Sequence, residues 1–361
     1  MKTSREILTA GLPNVLFMLC FLAMLSSCAS LAPPKVYIYS LPEKVVFAGE
    51  NVSLEQNDTY SRIITWYNFF LSKPWQIDLW LQRSEMVFPF IEEKLQEHDL
   101  PLDLKYVAVA ESYLSTRAIS SAGAAGIWQF TASTAGAFGL HINASIDERF
   151  DYVLATEAAL SYLKKGREEI GDSWNLVCAS FNLGIRGVKD RMERQKSSDY
   201  WAMVFPPETE DYLPKIIAIK LIMENASSLG FRPQKGFRKV QRLKLQILEK
   251  PIYLKDIAER INLTFRDIWL LNPHIWKPYL PPGEYYFYLP QESEVKSLEL
   301  SGYLDSLPYN RKIYTVSDGE SLDSIAAKIG ITKDELMSFN DIESSIKLDA
   351  GRQIIYWKLS S

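Results

Sequence analysis

Cysteine and histidine are scarce in this chain. Its 361 residues hold three Cys and three His. Cys20 and Cys28 sit near the N-terminus, so Cys178 is the one thiol of the body. A single thiol cannot close an internal disulfide, so core packing must hold the fold. His98, His141 and His274 are far apart and show no metal-ligand spacing, and neither a metal nor a cofactor is expected. Charge of one sign is not in excess either. The net charge of −4 gives no reason to expect nucleic acid as a partner. The most telling lack is local: from Ser112 to Ile146 there is no Asp or Glu.

The remaining composition is that of a folded body with ordinary cores, 47% hydrophobic and 23% charged, and the length suits two or three domains. Aromatic residues at 12% suit sugar stacking and well-filled cores equally. The N-terminus stands apart. Lys2 and Arg5 precede an apolar stretch from Leu12 to Leu25, too short for a comfortable membrane span. It ends at Leu25-Ser-Ser-Cys28, which resembles a bacterial lipoprotein signal. That resemblance implies a cleaved leader (1–27), a lipid on the thiol of Cys28 and a membrane-anchored mature chain. Ala at position 29, rather than Asp, points to the outer membrane, facing the periplasm. Residues 28–59, with Pro33, Pro34 and Pro42 and a polar run from Glu50 to Asp58, read as a tether.

Helical patterning runs from about Tyr60 to Leu229, with almost no strand signal, and predicts an all-α domain over 60–232. Within it, Leu104, Val107, Ala108 and Leu114 share a helix face with Glu111. A Glu in an apolar stripe is costly unless it is paired or kept neutral. Burial raises its pKa, which is what a general acid near neutral pH needs. The stretch after it, Ser120-Ser-Ala-Gly-Ala-Ala-Gly-Ile-Trp-Gln-Phe130, is a glycine-punctuated loop able to approach a substrate closely. Glycoside cleavage commonly uses two carboxylates. The acid-free stretch implies a site with one, acting first as acid and then as base on a substrate that supplies its own nucleophile. A distant acid folding into the site is the alternative. Asp147, Glu148 and Arg149 read as a helix start with a local ion pair, Trp128 as core and Cys178 as a small buried hydrophobe.

Beyond a basic linker from Phe231 to Lys239 lies an internal repeat at an offset of 68. Leu254, Ile257, Ala258, Ile268, Asn272, Gly283 and Tyr288 match Leu322, Ile325, Ala326, Leu336, Asn340, Gly351 and Tyr356. Each unit reads strand, helix, helix, strand, giving two small α+β modules at 240–291 and 312–358.

Four motifs in order carry a more specific resemblance: Glu111-Ser112; Ser120 with Gly-Ala-Ala-Gly-Ile-Trp-Gln-Phe130; Ala179-Ser-Phe-Asn-Leu-Gly184; and Glu208-Thr-Glu-Asp-Tyr-Leu-Pro214. Together they resemble the family 1 lytic transglycosylases. The resemblance implies a lysozyme-like helical fold and a single catalytic Glu, here Glu111. That Glu protonates the oxygen between N-acetylmuramic acid and N-acetylglucosamine, and then takes the proton of the muramoyl C6 hydroxyl, leaving a 1,6-anhydro end. Ser112, Ser120, Gln129, Phe181, Asn182 and Tyr212 are the implied substrate-site residues. Phe181 stands where the family usually has Tyr.

The second repeat, Tyr314-Thr-Val-Ser-Asp-Gly-Glu-Ser-Leu, resembles a LysM module. The resemblance implies a shallow groove for N-acetylglucosamine-containing glycan at Gly319, Glu320, Ser321, Asn340, Asp341 and Ile342. The first repeat has Glu249-Lys-Pro-Ile-Tyr-Leu254 in place of the glycine loop. It is expected to keep its core, to lose the groove and to pack on the helical domain. The expected whole is a monomeric, lipid-anchored enzyme of the cell envelope that cleaves peptidoglycan glycan strands. A hydrolytic muramidase on the same fold and a non-catalytic wall-binding lipoprotein are the rivals.

Overall fold

The computed structural model describes residues 40–55, 57–232, 239–247, 249–340, 342 and 346–359. The leader, Cys28 and Asp341 lie outside the described residues. Among those described, no helix is long and apolar enough to cross a membrane.

The body begins with a hairpin where the sequence reading had a tether. β1 (Val45–Phe47) pairs antiparallel with β2 (Glu50–Val52). Phe47 is fully buried, and the Ala48 amide donates to Asp103 Oδ2 at 2.8 Å. The Glu50 carboxylate accepts from the Trp174 amide and from Ser173 Oγ at the start of a central helix, where helix-end amides favour an anion. The polar run was therefore not a sign of slack chain. Its acid is a helix cap, supplied from far along the sequence.

The helices follow as the periodicity predicts: α1 (Asn57–Leu71), α2 (Pro74–Glu97), α3 (Lys105–Ser112), α4 (Ala132–Ala137), α5 (Tyr152–Ile170), α6 (Trp174–Leu183), α7 (Ile185–Gln195) and α8 (Pro207–Glu224). Stops fall where backbone geometry demands them, with Gly171 and Gly184 at positive φ after α5 and α6. α6 is buried from Trp174 to Ser180, and Cys178 is fully buried, its thiol pKa pushed up by that burial. α8 is buried over most of Tyr212 to Ile222 and packs against α1, α3 and α6. This packing brings the start of α8 beside the end of α3.

Each C-terminal module is a two-stranded antiparallel ladder with helices between its strands. In the first, β3 (Val240–Ile247) pairs with β6 (Gly283–Pro290) around α9 (Leu254–Arg260) and α10 (Phe265–Leu271), with a small pair β4 (Ile252–Tyr253) and β5 (Tyr279–Leu280). A further helix outside the repeat, α11 (Ser297–Ser306), closes that core with Leu300 and Leu304. In the second, β7 (Tyr309–Thr315) pairs with β8 (Gln353–Leu359) around α12 (Leu322–Ile329) and α13 (Lys333–Asn340).

The same asparagine locks both modules. Asn272 donates to the carbonyls of Ile268 (2.9 Å) and Tyr288 (3.0 Å) and accepts from the Tyr288 amide (2.7 Å). Asn340 does the same with Leu336 and Ile355. Tyr288 thus corresponds to Ile355, not to Tyr356, and the core residue Phe287 to Ile354. The repeat slips by one residue after the asparagine, so the two sequence matches beyond it were off register.

The first module packs on the helical domain. Tyr288 Oη donates to the buried Asp151 at 2.6 Å, and Arg242 Nη2 reaches the same carboxylate at 3.3 Å. The Tyr152 and Tyr288 rings lie 4.4 Å apart, and Ile146 bridges Ile275.

Candidate active site

α3 ends on a tight reversal. Tyr113 and Leu114 both adopt left-handed backbone, a conformation that costs non-glycine residues about 1 kcal/mol each. The turn is held from outside: Trp80 stacks on the Tyr113 ring at 5.6 Å, and Arg83 Nη1 donates to the Tyr113 carbonyl at 2.9 Å. The reversal leaves Glu111 lining a cleft of about 510 Å³. α8 forms the opposite wall with Pro207, Glu208, Asp211, Tyr212 and Lys215, and Trp66, Ser120, Gln129 and Asn182 are among the rest of the lining.

Burial raises the Glu111 carboxyl from an ordinary value of 4.5 to about 7. Three neighbours modulate it. The Tyr212 hydroxyl donates to Glu111 Oε1 and the Lys215 ammonium lies nearby, both favouring the carboxylate; Glu208 opposes them. Lys215 Nζ is fixed by a 2.6 Å bond to the Ala110 carbonyl, and burial lowers its own pKa. The Tyr212 phenol is pushed well above its usual range, first by burial and then by Glu111, so it stays a donor. A carboxyl balanced near neutrality can release a proton and take one back, which suits a single residue serving as acid and base.

The glycine loop is built rather than loose. Ala125 bridges both Ile119 and Phe130, and Ser120 Oγ accepts from the Ala124 amide at 3.0 Å. Gln129, at positive φ, donates from its amide to the Gly126 carbonyl at 2.8 Å. Gly126 is irreplaceable on two counts. Its φ is +76°, and a Cβ there would stand 1.8 Å from the Arg149 carbonyl oxygen. Arg149 clasps the loop, donating to the carbonyls of Gly123 (2.8 Å) and Phe130 (3.2 Å) while fully buried Asp147 holds its guanidinium at 2.7 Å. The expected local ion pair is therefore the loop's anchor. Trp128 is core, its indole bonded to Thr156 Oγ1 at 2.9 Å.

Of the residues singled out from sequence, Glu111, Ser120, Gln129, Asn182 and Tyr212 line one cleft. Asn182 is oriented by Thr209 Oγ1, which donates to its Oδ1 at 2.6 Å. Two expectations need correcting. Ser112 is buried, and its hydroxyl donates to the Ile127 carbonyl at 2.8 Å, tying α3 to the loop instead of facing substrate. Phe181 packs among Trp128, Phe130 and Tyr162, 4.9–5.9 Å from their rings, and does not line the cleft. The one-carboxylate reading also changes. Glu208 and Asp211 fold into the cleft wall from α8, with Lys215 and Trp66 beside them. The sequence carried a sign of this: 208, 211, 212 and 215 share one helix face with the motif residue Tyr212.

In the second module the expected glycan groove is largely spent on structure. Ile342 is core and the Asn340 amide is the strand lock, so neither side chain is free to meet a sugar. Ser321 caps α12 through Ser324. The Glu320 carboxylate is held at about 2 by the Tyr314 hydroxyl, the Ser317 amide and Lys328. Gly319, at φ +76°, supplies the turn.

The chain is thus a helical domain with Glu111 facing Tyr212 across a cleft, followed by two βααβ modules. The chain contains a Transglycosylase SLT domain, matched over residues 88–204, and two LysM domains, matched over 253–284 and 314–357. It is 27% identical over 290 residues to membrane-bound lytic murein transglycosylase D of Escherichia coli strain K12, covering 75% of this chain and 63% of that protein. The protein of the same name from E. coli O6:H1 gives the same figures. This chain thus spans a little under two thirds of those relatives. The crystal structure of the 70 kDa soluble lytic transglycosylase from E. coli is 18% identical with a TM-score of 0.35, covering 47% of this chain and 31% of that one.

Proposed function

We propose that this protein is a peptidoglycan lytic transglycosylase of the cell envelope. Glu111 protonates the glycosidic oxygen between N-acetylmuramic acid and N-acetylglucosamine. The C1–O bond breaks, the muramoyl C6 hydroxyl closes on C1, and its proton returns to Glu111. No water is consumed, and the product carries a 1,6-anhydro end. Tyr212 and Lys215 steady the carboxylate form between the two transfers, while Ser120, Gln129 and Asn182 hold the sugars. The observation that carries this reading is the Glu111 carboxyl, raised to about 7 inside the cleft and bonded to Tyr212. The matched SLT and LysM domains and the similarity to lytic murein transglycosylases support it.

The proposed organisation is a leader (1–27), a lipid on Cys28 facing the periplasm from the outer membrane, a catalytic domain over 60–232 and two LysM-type modules. Anchor and module contact together would raise the local concentration of the domain on glycan.

Glu208 and Asp211 in the cleft wall favour one second reading, a hydrolase in which such a carboxylate positions water. Digestion of purified peptidoglycan with mass spectrometry of the muropeptides separates the two. Anhydro ends are expected, and reducing ends would establish the hydrolase. Cleavage that survives Glu111→Gln would remove Glu111 from the chemistry altogether.

A further inference from the structure

A second groove lies beside the cleft on α1, a helix outside the segment that matches the SLT domain. It is about 220 Å³ and is lined by Ser61, Arg62, Thr65, Trp66, Phe69 and Asp211. Ser61, Thr65 and Phe69 recur at four-residue spacing and form one ridge; Arg62 and Trp66 form the next. Trp66 and Asp211 line both the groove and the cleft, so the two lie side by side.

The floor is aromatic and the rim is polar. Phe69 is 41% exposed and presents part of its ring to the groove. Its ring is braced by Trp66 at 5.3 Å and by Lys73, whose Nζ lies 3.8 Å from the ring centre. Arg62 is fixed on the rim by bonds to Asp58 Oδ2 (2.8 Å) and the Glu210 carbonyl (3.1 Å). Thr65 is turned back on the Ser61 carbonyl at 2.6 Å. Asp211 and Ser61 add a carboxylate and a hydroxyl to the lining. A pyranose ring has the complementary form: an apolar C–H face with hydroxyls at its edge. An aromatic surface with a few placed polar groups is how such a ligand is held.

We infer that the α1 groove is an accessory sugar subsite, holding a further residue of the same glycan strand beyond those held in the cleft. This rests on the transglycosylase reading and extends it: the enzyme grips a longer strand than the SLT domain itself spans, and cuts long strands in preference to short ones.

The test measures kcat/KM on peptide-free N-acetylglucosamine–N-acetylmuramic acid oligomers of increasing length. It also measures binding of the same oligomers to the Glu111→Gln protein. The native chain should gain activity at the length that first reaches α1. Phe69→Ala and Asp211→Asn should remove that gain, lowering kcat/KM on long oligomers about tenfold, the factor carried by about 1.4 kcal/mol. Phe69→Ala should leave the shortest cleaved oligomer unaffected, and oligomer binding by the Glu111→Gln protein should weaken only at the long lengths. Equal loss at every length for Phe69→Ala would overturn the subsite and make α1 a structural support. No loss at any length for either variant would show that no sugar sits there. Cleavage that persists in Glu111→Gln would instead sink the catalytic reading, and the binding series would still report on the groove.

Discussion

The Tyr212 hydroxyl donates to Glu111 Oε1 across the cleft, joining the start of α8 to the end of α3. The bond favours the carboxylate, the form Glu111 holds after giving up its proton, and so lowers the pKa that burial raises. Tyr212→Phe removes it and leaves packing nearly intact. A hydrogen bond to a charged group contributes about 1.5–3 kcal/mol, so kcat should fall about ten- to a hundredfold. The basic limb of the pH–rate profile should also move upward, because Glu111 then keeps its proton to higher pH. A loss of rate with an unmoved limb would mean that Tyr212 packs and does not tune the acid.

Glu111 should also set a pH dependence of stability. Its folded pKa, about 7, lies above the ordinary 4.5, so the native state binds the proton more tightly than the unfolded chain. Stability is therefore full below about pH 4.5 and declines as pH rises through about 7, where the native carboxyl ionises. Glu111→Gln does not titrate, and its amide oxygen can still accept from Tyr212. It should be the more stable protein above about pH 8, on the order of 3 kcal/mol, with the advantage vanishing in acid. Urea unfolding at a series of pH values measures this. Parallel curves for the two proteins would show that Glu111 is not held off its ordinary pKa.

Glu111 was legible in the sequence because a carboxylate in an apolar helical stripe contradicts the pattern around it. Helix order was legible because period and glycine stops agree. What was not legible depends on distant pairing. The acid-free stretch after Glu111 correctly described the loop but not the cleft, since Glu208, Asp211 and Lys215 enter on α8 through packing that no local pattern records. Glu50 read as tether polarity because its partner, the start of α6, is remote in the chain. Asn340 and Ile342 read as groove because a loop after a helix serves equally as a binding edge and as the lock to the next strand. Motif resemblance finds a position; which way its side chain turns is decided by the fold.

The two glycines of the loop should separate cleanly. Gly123 and Gly126 share the same left-handed backbone, at φ +77° and +76°. A Cβ on Gly123 meets nothing within 4 Å, so Gly123→Ala should cost about 1–2 kcal/mol, the backbone penalty alone. A Cβ on Gly126 would stand 1.8 Å from the Arg149 carbonyl oxygen, on the residue that clasps the loop. Gly126→Ala must push that clasp aside and should cost about 3–5 kcal/mol, with activity lost in proportion to the displaced loop. Chemical denaturation gives both values. Similar costs for the two would mean that the loop yields at no expense to Arg149.

The paired asparagines give the sharpest test of what the repeat encodes. Asn272 is fully buried, and its loss strands the Tyr288 amide and carbonyl, so Asn272→Ala should destabilise by about 2–3 kcal/mol. Asn340 makes the matching bonds to Ile355 at a half-buried site, where Asn340→Ala should cost about 1–2 kcal/mol. Amide hydrogen exchange should quicken at Tyr288 in the first variant and at Ile355 in the second, each with little effect on the other module. If Asn340 were instead a glycan contact, Asn340→Ala would weaken binding to peptidoglycan while exchange at Ile355 stayed slow. Because its amide meets both the donor and the acceptor of Ile355, the lock takes precedence over a glycan contact at this side chain.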